Sequence, residues 1–136
     1  MKKQLLSLSP IVLCLALAAC GNTFAMAPDA SVPFATGEVD ASFEDNGNGK
    51  MTVSVEHLGD PSKLSPSATT YVVWIKPKKE GAAIQNVGAL KVDDSYSGEL
   101  EFSTTQTAFD ITITPEASAD VTDPKGRDVL RATITK

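Results

Sequence analysis

The chain has almost no cysteine and almost no histidine, and the few it has are placed unevenly. Cys14 and Cys20 are the only cysteines in 136 residues, and both fall within the first twenty. Residues 21–136 therefore have no thiol for a disulfide or for cysteine-ligated metal. His57 is the single histidine, so a histidine-rich metal centre is excluded as well. Aromatic residues are sparse, with one Trp, two Tyr and five Phe. Outside the N-terminus there is no long apolar run and no sustained 3.6-residue periodicity. Basic residues are in deficit, 12 against 17 acidic, for a net charge of −5. That balance opposes nonspecific binding to nucleic acid, which depends on basic contacts to phosphate. It equally opposes docking on anionic lipid through a basic patch.

What is present begins at the N-terminus. Met1-Lys2-Lys3 is a basic start. An apolar run follows from Leu5 to Ala19, ending Leu17-Ala18-Ala19-Cys20-Gly21. A basic segment, an apolar segment and small residues at a cut site make a secretory signal. The run of about 15 residues is shorter than the ~20 that a spanning helix needs.

The Leu-Ala-Ala-Cys string resembles the lipobox of bacterial lipoproteins. The resemblance implies diacylglycerol on the sulfur of Cys20, cleavage just before it, and Ala18 and Ala19 in the peptidase site. Acyl chains contribute about 0.8 kcal/mol per buried methylene, so two or three of them hold a protein at the bilayer without a spanning segment. Asn22, rather than Asp, stands second after the cysteine, which in enterobacterial lipoproteins implies transfer to the outer membrane. The expected location is the bacterial cell envelope. Removal of residues 1–19 leaves about 117 residues and, with Lys2 and Lys3 gone, a net charge of about −7. That length favours one domain with its own apolar core.

Residues 20–33 are rich in Ala, Pro, Asn and Ser, interrupted by Pro28 and Pro33, and read as the acylated cysteine and a flexible tether. From residue 34 the texture changes to short alternating runs. Val39, Ala41 and Phe43 alternate, residues 44–49 (Glu-Asp-Asn-Gly-Asn-Gly) turn, and Met51, Val53 and Val55 alternate again. This is a hairpin signature. Residues 58–68 read as a loop. Residues 70–76, with Tyr71, Val72, Val73, Trp74 and Ile75, read as a strand buried on both faces. Residues 84–92 form a weaker strand containing Gly88, and Leu100 and Phe102 share one face of another. Phe109, Ile111 and Ile113 alternate up to Pro115, and Leu130, Ala132 and Ile134 alternate near the C-terminus. Seven strands at this spacing predict an all-β domain over 34–136, an immunoglobulin-like β-sandwich with Trp74 in its core but without the cysteine pair or tyrosine corner of antibody domains.

Three stretches, Tyr-Val-Val-Trp-Ile at 71–75, Asn-Val-Gly-Ala-Leu at 86–90 and Phe-Asp-Ile-Thr-Ile-Thr-Pro-Glu at 109–116, together resemble the extracytoplasmic C-terminal domain of RskA-type anti-sigma-K factors. The resemblance spans residues 69–134 and implies the fold and a place outside the cytoplasm. Those factors also carry a cytoplasmic sigma-binding domain and a membrane span. This sequence matches neither, so sigma binding is not carried over.

Candidate chemistry is thin. His57 would have to be the base of any Ser-His-Asp arrangement, yet no Gly-x-Ser-x-Gly elbow accompanies it, and a surface or packed histidine is the plainer reading. Asp45, Asn46 and Asn48 have some of the oxygen donors of a calcium loop. Gly47 and Gly49 occupy alternating ligand positions, so a hairpin turn is expected. Asp93-Asp94 and the Glu116, Asp120 and Asp123 loop read as solvated charge. Lys76, Lys78, Lys79 and Glu80 read as a solubilising tip. Tyr71 and Trp74 point to opposite faces of one strand, so one of them is a candidate for stacking on a ligand, while core packing of at least one is the stronger expectation. No catalytic residue, cofactor or metal is assigned, and the one assigned site is lipid attachment at Cys20. The expected role is a non-enzymatic envelope module that contacts the membrane through its lipid and an envelope protein or polymer through its domain. The alternative is an extracytoplasmic sensory or regulatory accessory.

Overall fold

A computed structural model describes residues 21–136; residues 1–19, expected as a signal peptide, and Cys20, expected as the lipid-attachment residue, lie outside the described residues. Nine antiparallel strands and one helical turn make up the described chain: β1 Asn22–Pro28, β2 Thr36–Phe43, β3 Gly49–Glu56, α1 Pro61–Leu64, β4 Thr70–Pro77, β5 Gln85–Ala89, β6 Lys91–Val92, β7 Gly98–Thr104, β8 Ala108–Glu116 and β9 Leu130–Thr135. They run in the order β5-β4-β8-β9-β1-β2-β3-β7-β6 and form a nearly closed sheet.

The two halves of this sheet share one strand. Residues 22–26 of β1 pair with β2, from Asn22 opposite Ala41 to Met26 opposite Gly37. Ala27 and Pro28 pair instead with Arg131 and Leu130 of β9. The switch falls where Gly37 leaves room. A Cβ there would lie 3.0 Å from the Leu130 side chain and 3.2 Å from the Met26 sulfur. At the opposite seam, Gly88 of β5 brings its backbone against Leu100 of β7.

The all-β expectation is met, with two changes. The tether expected over 20–33 is instead strand β1 and a tight connection. Phe24 and Met26 face inward while Thr23 and Ala25 face out, so the segment has the period-2 pattern of a strand with one buried face. Val32 and Ala35 are buried behind it, and Asp29 turns the chain by accepting from the Ser31 N–H and hydroxyl. Pro28 sits at the strand's end, where its missing N–H breaks no ladder within the strand. The second change is strand number, nine instead of seven. The expected strand over 84–92 is two strands, because Gly88 takes a positive φ of 133° and the register slips between Val73 and Trp74. The chain then leaves β4 and pairs with β7 as β6.

The core lies between the two halves. Val39, Ala41, Met51, Val53 and Val55 of one half face Tyr71, Val73, Ile75, Phe109, Ile111 and Ile113 of the other. The strand expected to be buried on both faces is so buried, from Tyr71 to Ile75. Its outward side chains Val72 and Trp74 lie outside this core.

If β1 is part of the fold, a protein beginning at Gly21 folds cooperatively, whereas one beginning at Asp29 loses the strand joining the halves. The second protein should show no cooperative urea transition by circular dichroism. Equal transitions for the two would return residues 22–28 to the role of tether.

Candidate functional site

Three places bring polar or aromatic side chains together: the outer face of β4 and β8, and the two ends of the sheet. On the outer face, Trp74 donates its indole N–H to the Thr114 hydroxyl at 2.8 Å, and that hydroxyl donates to Glu116 Oε1 at 2.7 Å. The same oxygen accepts the backbone N–H groups of Lys125 and Gly126 at 2.9 and 3.1 Å. Asn86 holds the loop from the other side, donating to the carbonyls of Ala119 and Val121. Residues 117–128 are thus drawn down over Trp74. Gly126 is pressed so closely that a side chain there would run into the Pro115 carbonyl oxygen.

This meets the core-packing expectation for Tyr71 and Trp74 and overturns the expectation for Glu116. Neither Tyr71 nor Trp74 is free to stack on a ligand, since they are 1% and 0% exposed. Glu116 is not solvated loop charge but a carboxylate 2% exposed, whose charge-assisted bonds hold the loop. Asp120, by contrast, is exposed and accepts from Ser118. Among the described residues, no group of three or more acidic, histidine or cysteine side chains is arranged to hold a metal ion.

The near end is where β1 begins. The β2–β3 turn closes there, with Asn46 accepting the Asn48 N–H and Gly47 at a φ of 87°. This is the hairpin turn expected for Asp45, Asn46 and Asn48. Lys78 of the basic tip pairs with Asp110 at 2.8 Å, which holds the Asp110 carboxyl below the usual range. A shallow open groove of about 530 Å³ lies between this turn, the start of β5 and the end of β7. It is lined by Glu44, Asn48, Lys50, Gln85, Thr105 and Gln106, among others.

The far end carries the exposed aromatics. Phe34 is 84% exposed and Tyr96 38%. Two non-glycine residues take left-handed backbone here, His57 and Tyr96, each with φ of 59°. They are neighbours in space, because the Leu58 N–H donates to the Tyr96 carbonyl. Left-handed backbone at a non-glycine residue costs on the order of 1 kcal/mol or more and persists only where surroundings fix it. Here Leu58 is buried in the core, and the Tyr71 hydroxyl donates to the Gly59 carbonyl at 2.8 Å. Burial first, then the Asp60 and Tyr96 charges, push the Tyr71 phenol up to about 12, so it stays a donor. Asp60 caps α1 by accepting from the Ser62 hydroxyl and N–H, and Asp93 accepts from Ser95 and Ser97. Those bonds hold both carboxyls below their ordinary value.

The result is a rigid rim around residues 57–61 with a shallow hollow on each side. One, of about 260 Å³, is bordered by Phe34, His57, Asp60 and Leu64, and the other, of about 220 Å³, by Tyr71, Asp93 and Tyr96. His57 is exposed, as its place at the strand end suggested, and enters no side-chain hydrogen bond among the described residues. The large aromatic side chains presented to solvent among the described residues are therefore Phe34 and Tyr96. In the sequence Phe34 stands at the border of the expected tether and Tyr96 within an expected turn. A Tyr within Asp-Asp-Ser-Tyr-Ser-Gly was the available signal, an aromatic where turns favour small polar residues.

The outward faces of β2, β3 and β7 between the two ends are acidic. Glu38, Asp40, Glu56, Glu99 and Glu101 are all exposed, and Lys50 offsets Glu101 at 3.7 Å in a solvent-exposed pair. No protein-family model matches the sequence, and no curated protein sequence matches it either.

Two outcomes test this site. Replacing Glu116 by Ala leaves a buried hydroxyl and two backbone N–H groups without their acceptor. It should lower stability by about 3 kcal/mol in urea titration and expose Trp74 to water, red-shifting its emission, with Glu116→Gln losing less. An unshifted Trp74 emission in Glu116→Ala would remove the latch. The lowered carboxyls of Asp60 and Asp93 stabilise the rim at neutral pH, and that contribution is lost below the unfolded value near 3.8 as the folded carboxyls protonate. Hydrogen exchange at residues 57–62 and 93–97, corrected for intrinsic rates, should accelerate at pH about 2.5 relative to pH about 5.

Proposed function

We propose that this protein is a lipid-anchored envelope protein whose β-domain is a non-enzymatic contact module, with the far rim as its contact surface. The Leu17-Ala18-Ala19-Cys20 string supports the anchor. For the contact surface, the observation that carries the reading is the exposed Phe34 and Tyr96 beside two backbone positions fixed in left-handed conformation. Exposed aromatics on a rigid support are how interfaces obtain large apolar contact at low ordering cost. The flanking carboxylates Glu56, Asp60, Asp93 and Asp94 favour an envelope protein or polymer with cationic groups. An outer-membrane location is part of the same proposal. For the architecture, we read the two sheet halves as the faces of an immunoglobulin-like sandwich.

The regulatory alternative has one observation in its favour. The three stretches that resemble anti-sigma-K ectodomains are neighbouring strands, β5-β4-β8, and so form one unit.

Mass spectrometry of the membrane-extracted protein should give an N-terminus at Cys20 bearing diacylglycerol, and Cys20→Ala should abolish membrane retention. A photo-crosslinking residue at Phe34 should capture a discrete species from intact envelope. Adding Tyr96→Asp should remove that species without altering the urea transition. An unmodified thiol at position 20 would refute the anchor. Crosslinking at Phe34 no different from that at Glu38, on the acidic face, would refute the contact surface.

A further inference from the structure

The lipid reading and the fold together restrict how the domain can sit. β1 starts at Asn22, so a single residue, Gly21, separates the strand from Cys20. The β1–β2 register continues one step to place Gly21 level with Ser42, and the Cβ position of Gly21 is 3.7 Å from the Ala41 carbonyl. A lipid at Cys20 would leave the chain within about two residues, or about 7 Å, of the β2–β3 turn. The turns at 44–48, 78–84 and 105–107 close the sheet at this same end. Two contacts across the seam show it: the Lys136 ammonium lies 5.9 Å over the Phe43 ring, and Gln85 and Gln106 line one groove.

We infer that the near end of the domain rests directly on the lipid headgroups, so that the far rim points away from the bilayer in a fixed orientation. This rests on acylation of Cys20. Charge supports the same face. The molecule is acidic overall, yet at this end Lys76, Lys78, Lys79 and Lys136 balance Glu44, Asp45, Glu80 and Asp110. Of the surfaces described, the sheet face bearing Glu38, Asp40 and Glu99 and the far rim bearing Glu56, Asp93 and Asp94 are the ones that anionic headgroups would repel. The groove at the near end has amide, hydroxyl, ammonium and carboxylate side chains, which suit the charges of a zwitterionic headgroup. The far rim stands away by the length of the hairpin, eight residues in each of β2 and β3, or about 26 Å along the strand.

The test uses the full lipidated protein in phosphatidylcholine vesicles containing a headgroup-attached quencher. Cys20 is consumed by acylation, so a single introduced cysteine can be labelled selectively. Thr105→Cys marks the near end and Asp94→Cys the far rim; both positions are exposed. The label at 105 should be quenched severalfold more strongly than that at 94. Inserting about 15 Gly/Ser residues after Gly21, with a mean reach of about 20 Å, should bring the two labels close to equality. Equal quenching without the insertion, on protein retained by the vesicles, overturns the orientation and leaves the anchor standing. Protein that is not retained, and whose N-terminal peptide carries no diacylglycerol, overturns the anchor and the orientation with it.

Discussion

Strand β1 is the constraint on which the molecule depends. Its first five residues pair with β2 and its last two with β9, so one continuous backbone joins both halves of the sheet. Antiparallel halves joined only by their loops would slide relative to one another, and each would leave an edge of unpaired backbone. Sharing a strand covers the β2 edge from Gly37 to Ala41 and the start of the β9 edge at Leu130 and Arg131, and ties the two inner faces together. Gly37 is where that join is accommodated, because Leu130 and Met26 both need the space a side chain would fill. The result closes one seam with hydrogen bonds, while Gly88 against Leu100 closes the other by packing.

Burial on the second face of β4 is achieved differently. Inside, aliphatic and aromatic side chains meet, and the one polar group among them, the Tyr71 hydroxyl, donates to the Gly59 carbonyl at the margin. Outside, Trp74 is covered by a loop that has few apolar residues to offer. The cover is held instead by Glu116, which receives a hydroxyl and two backbone donors on one oxygen. A buried carboxylate is costly unless its hydrogen bonds are made. Among the described residues, no buried side-chain nitrogen or oxygen is left without a partner. The network therefore specifies one path for residues 117–128 more than it adds raw stability.

Much of the fold was legible in the sequence, and the misses share a cause. The strands carrying Val39-Ala41-Phe43, Met51-Val53-Val55, Phe109-Ile111-Ile113 and Leu130-Ala132-Ile134 show the period-2 pattern over several turns of the pleat. β1 shows it only at Phe24 and Met26, among small residues and next to prolines, where the same composition describes a coil. The split of residues 84–92 depends on a register slip against β4, which is a property of the pair and not of either strand. The Glu116 network lies further from view. Trp74 and Thr114 are forty positions apart, and an acidic residue before Ala-Ser-Ala-Asp reads as solvated until its partners are known. The far rim failed to stand out because Phe34 and Tyr96 are ordinary in type and unusual only in exposure and backbone.

A short mount changes what such a contact has to achieve. On the reading proposed here, the domain has no tether with which to search, and the rim works within about 26 Å of the headgroups. Partners at that height are themselves held to the membrane or lie against it. Confinement of both to one surface raises their effective concentration, so a modest patch can suffice where a free soluble pair would need a larger interface. Two aromatic side chains and two shallow hollows are too little for a stable complex in solution. On the same reading they match an encounter whose orientation the proposed anchor would set. The rigidity of residues 57–61 has the same sense: loss of orientation at the rim would undo what β1 fixes at the other end.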